Sequence, residues 1–114
     1  MNLSAIVGSL GLHPCCCSEQ LERTVTGGYA GDLLSDVIAN AGAGNVWVTM
    51  QVHVNIVAVA VLKELAGIII VNGRQPEDET VKKAVEEKIP ILSSALPAYE
   101  VAGKLYFLGV HSGG

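Results

Sequence analysis

The sequence predicts an α/β fold, a single small domain of repeated βα units whose mostly parallel central sheet is flanked by helices. Its 114 residues are 50% apolar and 16% charged. The apolar residues mix Val and Ile, which favour strands, with Ala and Leu, which favour helices. Short β-rich runs alternate with polar or glycine-containing loops and helical runs, an order typical of βα units. The run Ile68–Val71 is apolar on both faces, as expected of a central strand covered by helices.

A helix and a first βα unit are predicted in the amino-terminal part of the chain. The segment Asn2–Leu10 has apolar residues at helical spacing and is followed by Gly11, a residue type that commonly ends helices. A strand at Arg23–Thr26, a glycine loop at Gly27–Tyr29 and a helix at Asp32–Ala41 then make up the first unit.

Three further units follow in the same order of strand, loop and helix. β-branched residues dominate the strands, and Gly, Asn, Ser and Pro mark the loops. The predicted strands, loops and helices are Val46–Met50, Gln51–His53 and Val54–Ala66; Ile68–Val71, Asn72–Pro76 and Glu77–Lys88; and Pro90–Leu92, Ser93–Ser94 and Pro97–Gly103. We expect a last strand at Leu105–Val110 and a frayed tail over residues 111–114, all within one domain spanning residues 1–114.

Composition and charge exclude several classes of protein. An apolar content of 50% excludes disordered and collagen-like chains. Seven Lys and Arg against eleven Asp and Glu give a net charge of −4. This charge repels the phosphates of DNA and RNA, so we expect no nucleic-acid partner.

The stretch Val37–Leu62 has no charged residue and is longer than the ~20 residues that span a bilayer. Glycines near its start and Gln51, His53 and Asn55 near its middle interrupt it. We therefore interpret it as a helix end, a buried strand and a buried helix. The apolar segment Leu3–Leu12 has no preceding basic region, so it does not resemble a signal peptide. We expect a cytoplasmic protein with no membrane partner.

The apolar helix within this stretch predicts an oligomer. Residues Val54–Leu62 are apolar almost all round, and such a helix is either sandwiched inside a domain or placed at a subunit contact. The charged fraction of 16% is also below the usual value of about a quarter, which indicates an apolar surface covered by another subunit. We therefore expect a homo-oligomer, and among homo-oligomers a dimer.

Three consecutive cysteines, Cys15, Cys16 and Cys17, leave two interpretations open. Their odd number and adjacency do not suit a disulfide framework. They are either partly buried reduced thiols that pack as small hydrophobes, or a metal or redox site that includes His13. Because no second pair of Cys or Cys and His completes four ligands, we expect reduced thiols, no metal and no cofactor.

Polar and glycine residues collect in the loops that follow the predicted strands. In a parallel sheet these loops lie at the carboxyl ends of the strands, where helix N-termini offer free N–H groups to ligands. Their hydrogen-bonding groups and the cation of Arg74 favour a small anionic or nucleotide-like ligand. The candidate ligand-binding residues are Gly27, Gly28, Gln51, His53, Asn55, Asn72, Gly73 and Arg74. Ordinary turn and cap roles for these residues are the alternative.

The same loops contain no recognised catalytic motif. The segment Gly27–Asp32 lacks the Gly-Lys-Ser/Thr of a P-loop, so we expect no phosphoryl transfer, no enzymatic activity and no catalytic residue. His53 with the pair Asp32 and Asp36 leaves a metal-dependent enzyme open as an alternative. The simpler interpretation is that Asp32 caps a helix, His53 is structural and Asn55 bonds to nearby backbone.

Short blocks spread over nearly the whole chain carry a family resemblance. They are Val25–Tyr29, Gly31–Val37, Val46–Thr49, Gln51–Ala60, Ile68–Ile70 with Pro76, and Ile89–Leu92. In this order they resemble the DRTGG domains, small regulatory modules of bacteria and archaea. The five letters DRTGG do not occur together in this sequence, and Val71–Gly73 stands where many members have a Thr-Gly-Gly-like turn.

The resemblance implies a regulatory role without catalysis. DRTGG domains are similar to the N-terminal domain of HPr kinase/phosphorylase, and stand-alone members are sometimes labelled as serine kinases of HPr, yet this sequence lacks the P-loop of the kinase domain. Similar domains occur beside CBS pairs and in long phosphotransacetylases. The resemblance thus implies a sensor of a nucleotide or metabolite that acts through oligomer or partner contacts. A pure protein-protein interaction domain, docking a partner on Val54–Leu62, is the alternative.

Overall fold

Five strands form one sheet in the computed structural model, which describes residues 1–112. The strands are β1 (His13–Cys16), β2 (Gly27–Ala30), β3 (Asn45–Thr49), β4 (Gly67–Ile70) and β5 (Ile91–Ser93). The helices are α1 (Leu3–Leu10), α2 (Leu34–Asn40), α3 (Asn55–Leu62), α4 (Asp78–Glu87) and α5 (Ala98–Phe107), with a 3-10 turn at Ser18–Gln20. The strand order is β1-β5-β4-β3-β2, in which β2 to β5 are parallel and β1 is antiparallel to β5.

Helices cover both faces of this sheet, which confirms the predicted α/β fold class. On one face α2, α3 and α4 pack over Trp47, Ile68 and Ile70. On the other face α1 and α5 pack over Ile69 and Leu92. Because successive side chains of a strand point to opposite faces, β4 is buried on both sides, as predicted for a central strand.

The apolar helix α3 is sandwiched within the domain. It packs against α2, α4 and the sheet. Its buried residues are Ile56, Val57, Val59 and Ala60. Val61 and Leu62, near its carboxyl end, stay exposed. Burial inside the domain, rather than a subunit contact, therefore accounts for most of the apolar surface of α3. No helix within residues 1–112 has the length and hydrophobicity needed to cross a membrane.

The first parallel strand begins later in the sequence than predicted. It starts at Gly27, so the predicted strand Arg23–Thr26 and the predicted loop Gly27–Tyr29 are both wrong. Val25 donates its backbone N–H to the carbonyl of Met1 at 2.8 Å, which holds this segment against the start of α1. The chain joins the ladder beside β3 only from Gly27 onward.

An antiparallel strand that was not predicted lies at the other edge of the sheet. In β1, His13 lies opposite Ser93 and Pro14 opposite Leu92 on β5. Proline has no backbone N–H, and an edge strand tolerates it because the outer side of such a strand has no neighbour to bond. The first cysteines are therefore part of an edge strand.

The predicted strand Leu105–Val110 is wrong, and the helix before it is longer than the predicted Pro97–Gly103. Helix α5 continues to Phe107. Leu105 lies one helical turn after Val101, and both side chains are buried against the sheet on the inner face of this helix.

The predicted tail, residues 111–114, falls partly outside the described residues, which end at 112. The carbonyl of His111 accepts a hydrogen bond from the backbone N–H of Gly28 at 3.2 Å. Its ring stacks on Tyr106, with 4.1 Å between ring centroids. The described part of the tail therefore contacts β2 and α5.

Candidate functional site

The carboxyl ends of the four parallel strands meet at one edge of the sheet, here called the carboxyl edge. The segments that leave the strands there are residues 31–33, 50–54, 71–77 and 94–97. Because β1 runs antiparallel, its first residue, His13, lies at the same edge opposite Ser93. Loops distant in sequence are thus brought side by side at the place where ligands bind in parallel α/β sheets.

Asp32 joins the loops after β2 and β3. One carboxylate oxygen, Oδ1, accepts hydrogen bonds of 2.8 Å from the hydroxyl of Thr49 and from the backbone N–H of Met50. Gln51 returns a bond of 2.9 Å from its side-chain amide to the Asp32 carbonyl. The prediction that Asp32 caps a helix is wrong, because the N-cap of α2 is Leu33 and the Asp32 side chain bonds to β3 instead.

The loops after β4 and β5 are joined through the backbone. The N–H of Asn72 donates to the carbonyl of Leu96 at 2.9 Å, and the N–H of Gly73 donates to that of Ser94 at 2.8 Å. Asn72 and Gly73 both have left-handed φ angles, +62° and +67°. Glycine and asparagine tolerate this conformation better than other residues, which explains the Asn-Gly pair at this turn.

Arg74 connects the β4 loop to the β3 loop. Its Nη1 donates a hydrogen bond to the carbonyl oxygen of Met50, while the side chain is exposed. The ion pairs found within residues 1–112 are those of Lys83 with Glu86 and Glu87, so no described carboxylate pairs with this guanidinium. Arg74 is therefore a positioned cation at the carboxyl edge.

The structure brings some of the predicted ligand-binding residues together and separates others. Those in the bonded loops are Gln51, Asn72, Gly73 and Arg74. His53 and Asn55 lie at the start of α3, where the Asn55 N–H donates to Nδ1 of His53 at 3.4 Å. The bond predicted from the Asn55 side chain to nearby backbone is not found within residues 1–112.

Gly27 and Gly28 lie away from the carboxyl edge. Gly27 is paired with Asn45, the first residue of β3, and therefore lies at the opposite end of the sheet. Their predicted place in a loop after a strand is wrong because the strand itself begins at Gly27. The residues that do follow β2 at the carboxyl edge are Gly31 and Asp32.

The alternative of a metal site formed by His53, Asp32 and Asp36 is also wrong. Asp36 uses Oδ2 to accept a bond of 2.6 Å from the Tyr29 hydroxyl and Oδ1 to accept one of 3.0 Å from the Asn40 amide. That hydrogen bond to Asp36 raises the pKa of the Tyr29 phenol. Within residues 1–112, no three His, Cys, Asp or Glu side chains are arranged to hold a metal ion.

The three cysteines are free thiols, one of them at the carboxyl edge. The Sγ atom of Cys15 lies 3.8 Å from Oε1 of Gln75, and burial raises the pKa of this thiol. The Sγ atoms of Cys16 and Cys17 lie 3.2 Å apart, and Cys17 donates to the carbonyl of Ala84 at 3.6 Å. Burial, followed by the bond to Cys16, raises the pKa of Cys17 to about 12. The raised pKa values of Cys15 and Cys17 keep these two thiols protonated at neutral pH.

Two grooves of the surface lie elsewhere. One, of 390 Å³, runs between α1 and α5, and another, of 420 Å³, includes Arg23 and Glu64. The loops of the carboxyl edge are instead bonded to one another. The candidate ligand surface is therefore an edge of joined loops with an exposed cation.

No family model matches this sequence, and no curated protein matches it. Comparison of structures finds a crystal structure of the CBS and DRTGG domains of the regulatory region of Clostridium perfringens pyrophosphatase, complexed with the activator diadenosine tetraphosphate. The TM-score is 0.66 and the sequence identity 10%. The match covers 90% of this chain and 45% of that one, so this chain spans less than half the length of the structure that it matches.

At this identity the likeness concerns the fold. It agrees with the predicted resemblance to DRTGG domains, since the small α/β domain with its mostly parallel sheet resembles a structure that contains one. The relationship to HPr kinase/phosphorylase rests on the sequence resemblance alone.

Proposed function

We propose that this chain is a non-catalytic regulatory module that binds a small anionic, nucleotide-like ligand at the carboxyl edge. The observation that carries the proposal is the placement of Arg74, whose guanidinium is positioned by the Met50 carbonyl where two loops meet. A guanidinium without a carboxylate partner forms strong, directional hydrogen bonds to phosphate oxygens.

The bonded loops support the proposal because they hold the cation in place before a ligand arrives. Asp32 ties Thr49 and Met50 together, and the Met50 carbonyl in turn accepts from Arg74. A surface ordered in advance loses less conformational entropy on binding. The pyrophosphatase regulatory region of similar fold is complexed with diadenosine tetraphosphate, which guides the choice of probes.

Calorimetric titration and thermal-shift measurements with AMP, ATP, diadenosine tetraphosphate and acetyl phosphate test the proposal. A ligand at 100 times its Kd stabilises the folded state by about 2.7 kcal/mol. We expect at least one phosphate-bearing probe to stabilise the protein. Loss of a charged hydrogen bond should make Arg74→Gln bind at least about tenfold more weakly.

Lys82→Gln is the matched control, because it removes one positive charge from the exposed surface of α4. It should bind like the unaltered protein. The proposal fails if no probe binds at millimolar concentration, or if Arg74→Gln and Lys82→Gln behave alike.

A second candidate function, protein interaction, is favoured by exposed aromatic side chains on α5. Phe107 and Tyr99 are the most exposed large apolar residues described. The α3 face proposed from the sequence exposes Val61 and Leu62 and buries Ile56, Val57 and Val59. The two functions are compatible, since α5 and the Arg74 loop are different parts of the surface.

A further inference from the structure

Helix α5 carries an aromatic face that nothing in the described chain covers. Phe107 is 93% exposed and Tyr99 87% exposed. On the opposite side of the same helix, Val101 and Leu105 are buried. Tyr99, Gly103 and Phe107 follow one another at intervals of four residues and therefore lie along one face, which points away from the core.

Gly103 makes the centre of this face flat. A side chain at this position would meet no atom within 4 Å, so the backbone of α5 is open to a neighbour there. A groove of 390 Å³ runs beside it between α5 and α1, and is lined by Ser9 and Leu10 as well as by residues of α5. A flat glycine between two aromatic rings allows another helix to approach closely.

Two opposite charges flank this face on the side of the groove. Glu100 and Lys104 both line the groove. Although they are four residues apart on one helix, they do not pair with each other, since the ion pairs found in residues 1–112 are those of Lys83. Both charges are therefore available to an opposite charge on a partner.

The pattern is complementary to itself when two such helices lie antiparallel. Consider a two-fold axis that lies between the two helices, is perpendicular to them and passes close to Gly103. It makes the two helices run in opposite directions and places the charged flanks of both copies on the same side of the contact. Glu100 of one copy then faces Lys104 of the other, and Tyr99 faces Phe107. A parallel pair would place the charged flanks on opposite sides and leave them unpaired.

We propose that a second copy of this chain docks on this surface, with its α5 antiparallel to the first and crossing near Gly103. The inference does not depend on ligand binding at the carboxyl edge, because the two surfaces share no residue. It gives the expected homo-oligomer a surface other than α3.

A contact made by one helix face of each copy is small, so we expect a weak dimer. Small specific interfaces bury less than about 1,200 Å² in total, or ~600 Å² per copy. That is about a tenth of the 5641 Å² surface of the described chain. Two aromatic side chains supply ~150 Å² or more each. We therefore expect dissociation in the micromolar range.

The carboxyl end of α3 is a poorer surface for a second copy. Leu62 is 64% exposed and Val61 43% exposed, less than the aromatic residues of α5. The neighbouring cation, Lys83, already pairs with Glu86 and Glu87 on its own helix. This region therefore exposes less of its apolar side chains than α5 does, and the lysine beside it is already paired.

Sedimentation and light scattering over a concentration series test the proposal on the whole chain. We expect a shift from 11.9 kDa to twice that mass as concentration rises through the micromolar range. Phe107→Asp should raise the dimer Kd at least tenfold. Because the Phe107 side chain is exposed, the circular dichroism spectrum of this variant should match that of the unaltered protein. Leu62→Asp is the matched control on α3 and should dimerise normally.

Charge reversal tests the antiparallel arrangement. Glu100→Lys and Lys104→Glu should each weaken the dimer, because like charges then face each other, and the double variant should restore it. A monomer at all concentrations overturns the proposal. The proposal is also overturned if the Phe107→Asp variant still dimerises normally, or if Leu62→Asp abolishes the dimer. Failure of the Glu100→Lys, Lys104→Glu double variant to restore the dimer overturns it as well. None of these measurements requires a ligand, so the dimer proposal can fail while the ligand-binding proposal stands, and the reverse.

Discussion

The carboxylate of Asp32 accepts a hydrogen bond of 2.8 Å from the hydroxyl of Thr49, a buried residue at the end of β3. The same oxygen accepts from the N–H of Met50, the residue whose carbonyl receives Arg74. One side chain after β2 thus sets the conformation of the loop on which the candidate site depends.

Asp32→Ala should lower the free energy of unfolding by about 2 kcal/mol, because it leaves the buried Thr49 hydroxyl and the Met50 N–H without an acceptor. Urea unfolding followed by the fluorescence of Trp47, the single tryptophan, measures the change. Asp32→Asn keeps an oxygen acceptor and should lose less. Equal stability of Asp32→Ala and the unaltered protein would contradict the role given to this carboxylate.

Substitution by alanine should lower the stability of the protein at Gly44 and raise it at Gly8. Gly44 has a φ of +79°, and a side-chain carbon there would lie 2.6 Å from Oγ1 of Thr26. Gly44→Ala should therefore cost about 2 kcal/mol or more. Gly8 lies within α1 with nothing within 4 Å, so Gly8→Ala should stabilise by about 0.5–1 kcal/mol. Urea midpoints for both variants test the pair, and a stable Gly44→Ala protein would refute the strain argument.

Trp47→Phe should destabilise the fold by about 2 kcal/mol. The indole is fully buried, and its Nε1 donates a bond of 2.8 Å to the carbonyl of Gly31. Phenylalanine leaves that carbonyl unpaired and a small cavity beside it. Thermal unfolding by circular dichroism measures the loss. Tyr106→Phe, at an exposed position, is the control and should change stability by less than about 0.5 kcal/mol.

Alkaline pH should weaken the fold through Cys17. Its pKa is raised to about 12 by burial and by the bond to Cys16, whereas an unfolded thiol titrates near ~8.5. A pKa that is higher in the folded state gives stability that is complete below the unfolded value and is lost as pH rises toward the folded one.

The free energy of unfolding should therefore fall as pH rises from ~8.5 toward 12. Urea unfolding at a series of pH values measures this fall. Cys17→Ala should make it less steep, because it removes one group whose pKa differs between the two states. If the free energy of unfolding falls equally steeply with pH in Cys17→Ala, ionisation of Cys17 is not the cause of the fall.

Elements with a strong local pattern were predictable from the sequence. The continuous apolar runs of β3 and β4, which are buried on both faces, and the charged face of α4 each extend over a few neighbouring residues. The turn at Asn72 and Gly73 was recognisable for the same reason, since left-handed backbone selects these residue types. The sequence by itself thus determined the fold class and placed Gln51 and Arg74 after their strands.

Pairings between distant segments were decided by the tertiary structure. The local sequence around Gly27 is typical of a loop, but Gly27 lies in a strand because it pairs with Asn45 of β3. His13 and Cys15 join the carboxyl edge because β1 runs antiparallel to β5. The hydrogen bond from Arg74 to Met50 spans 24 residues. Local propensity acts over a few residues, whereas strand pairing and loop contacts depend on which surfaces the packed helices leave open. The same packing buries most of α3 and leaves the aromatic face of α5 exposed.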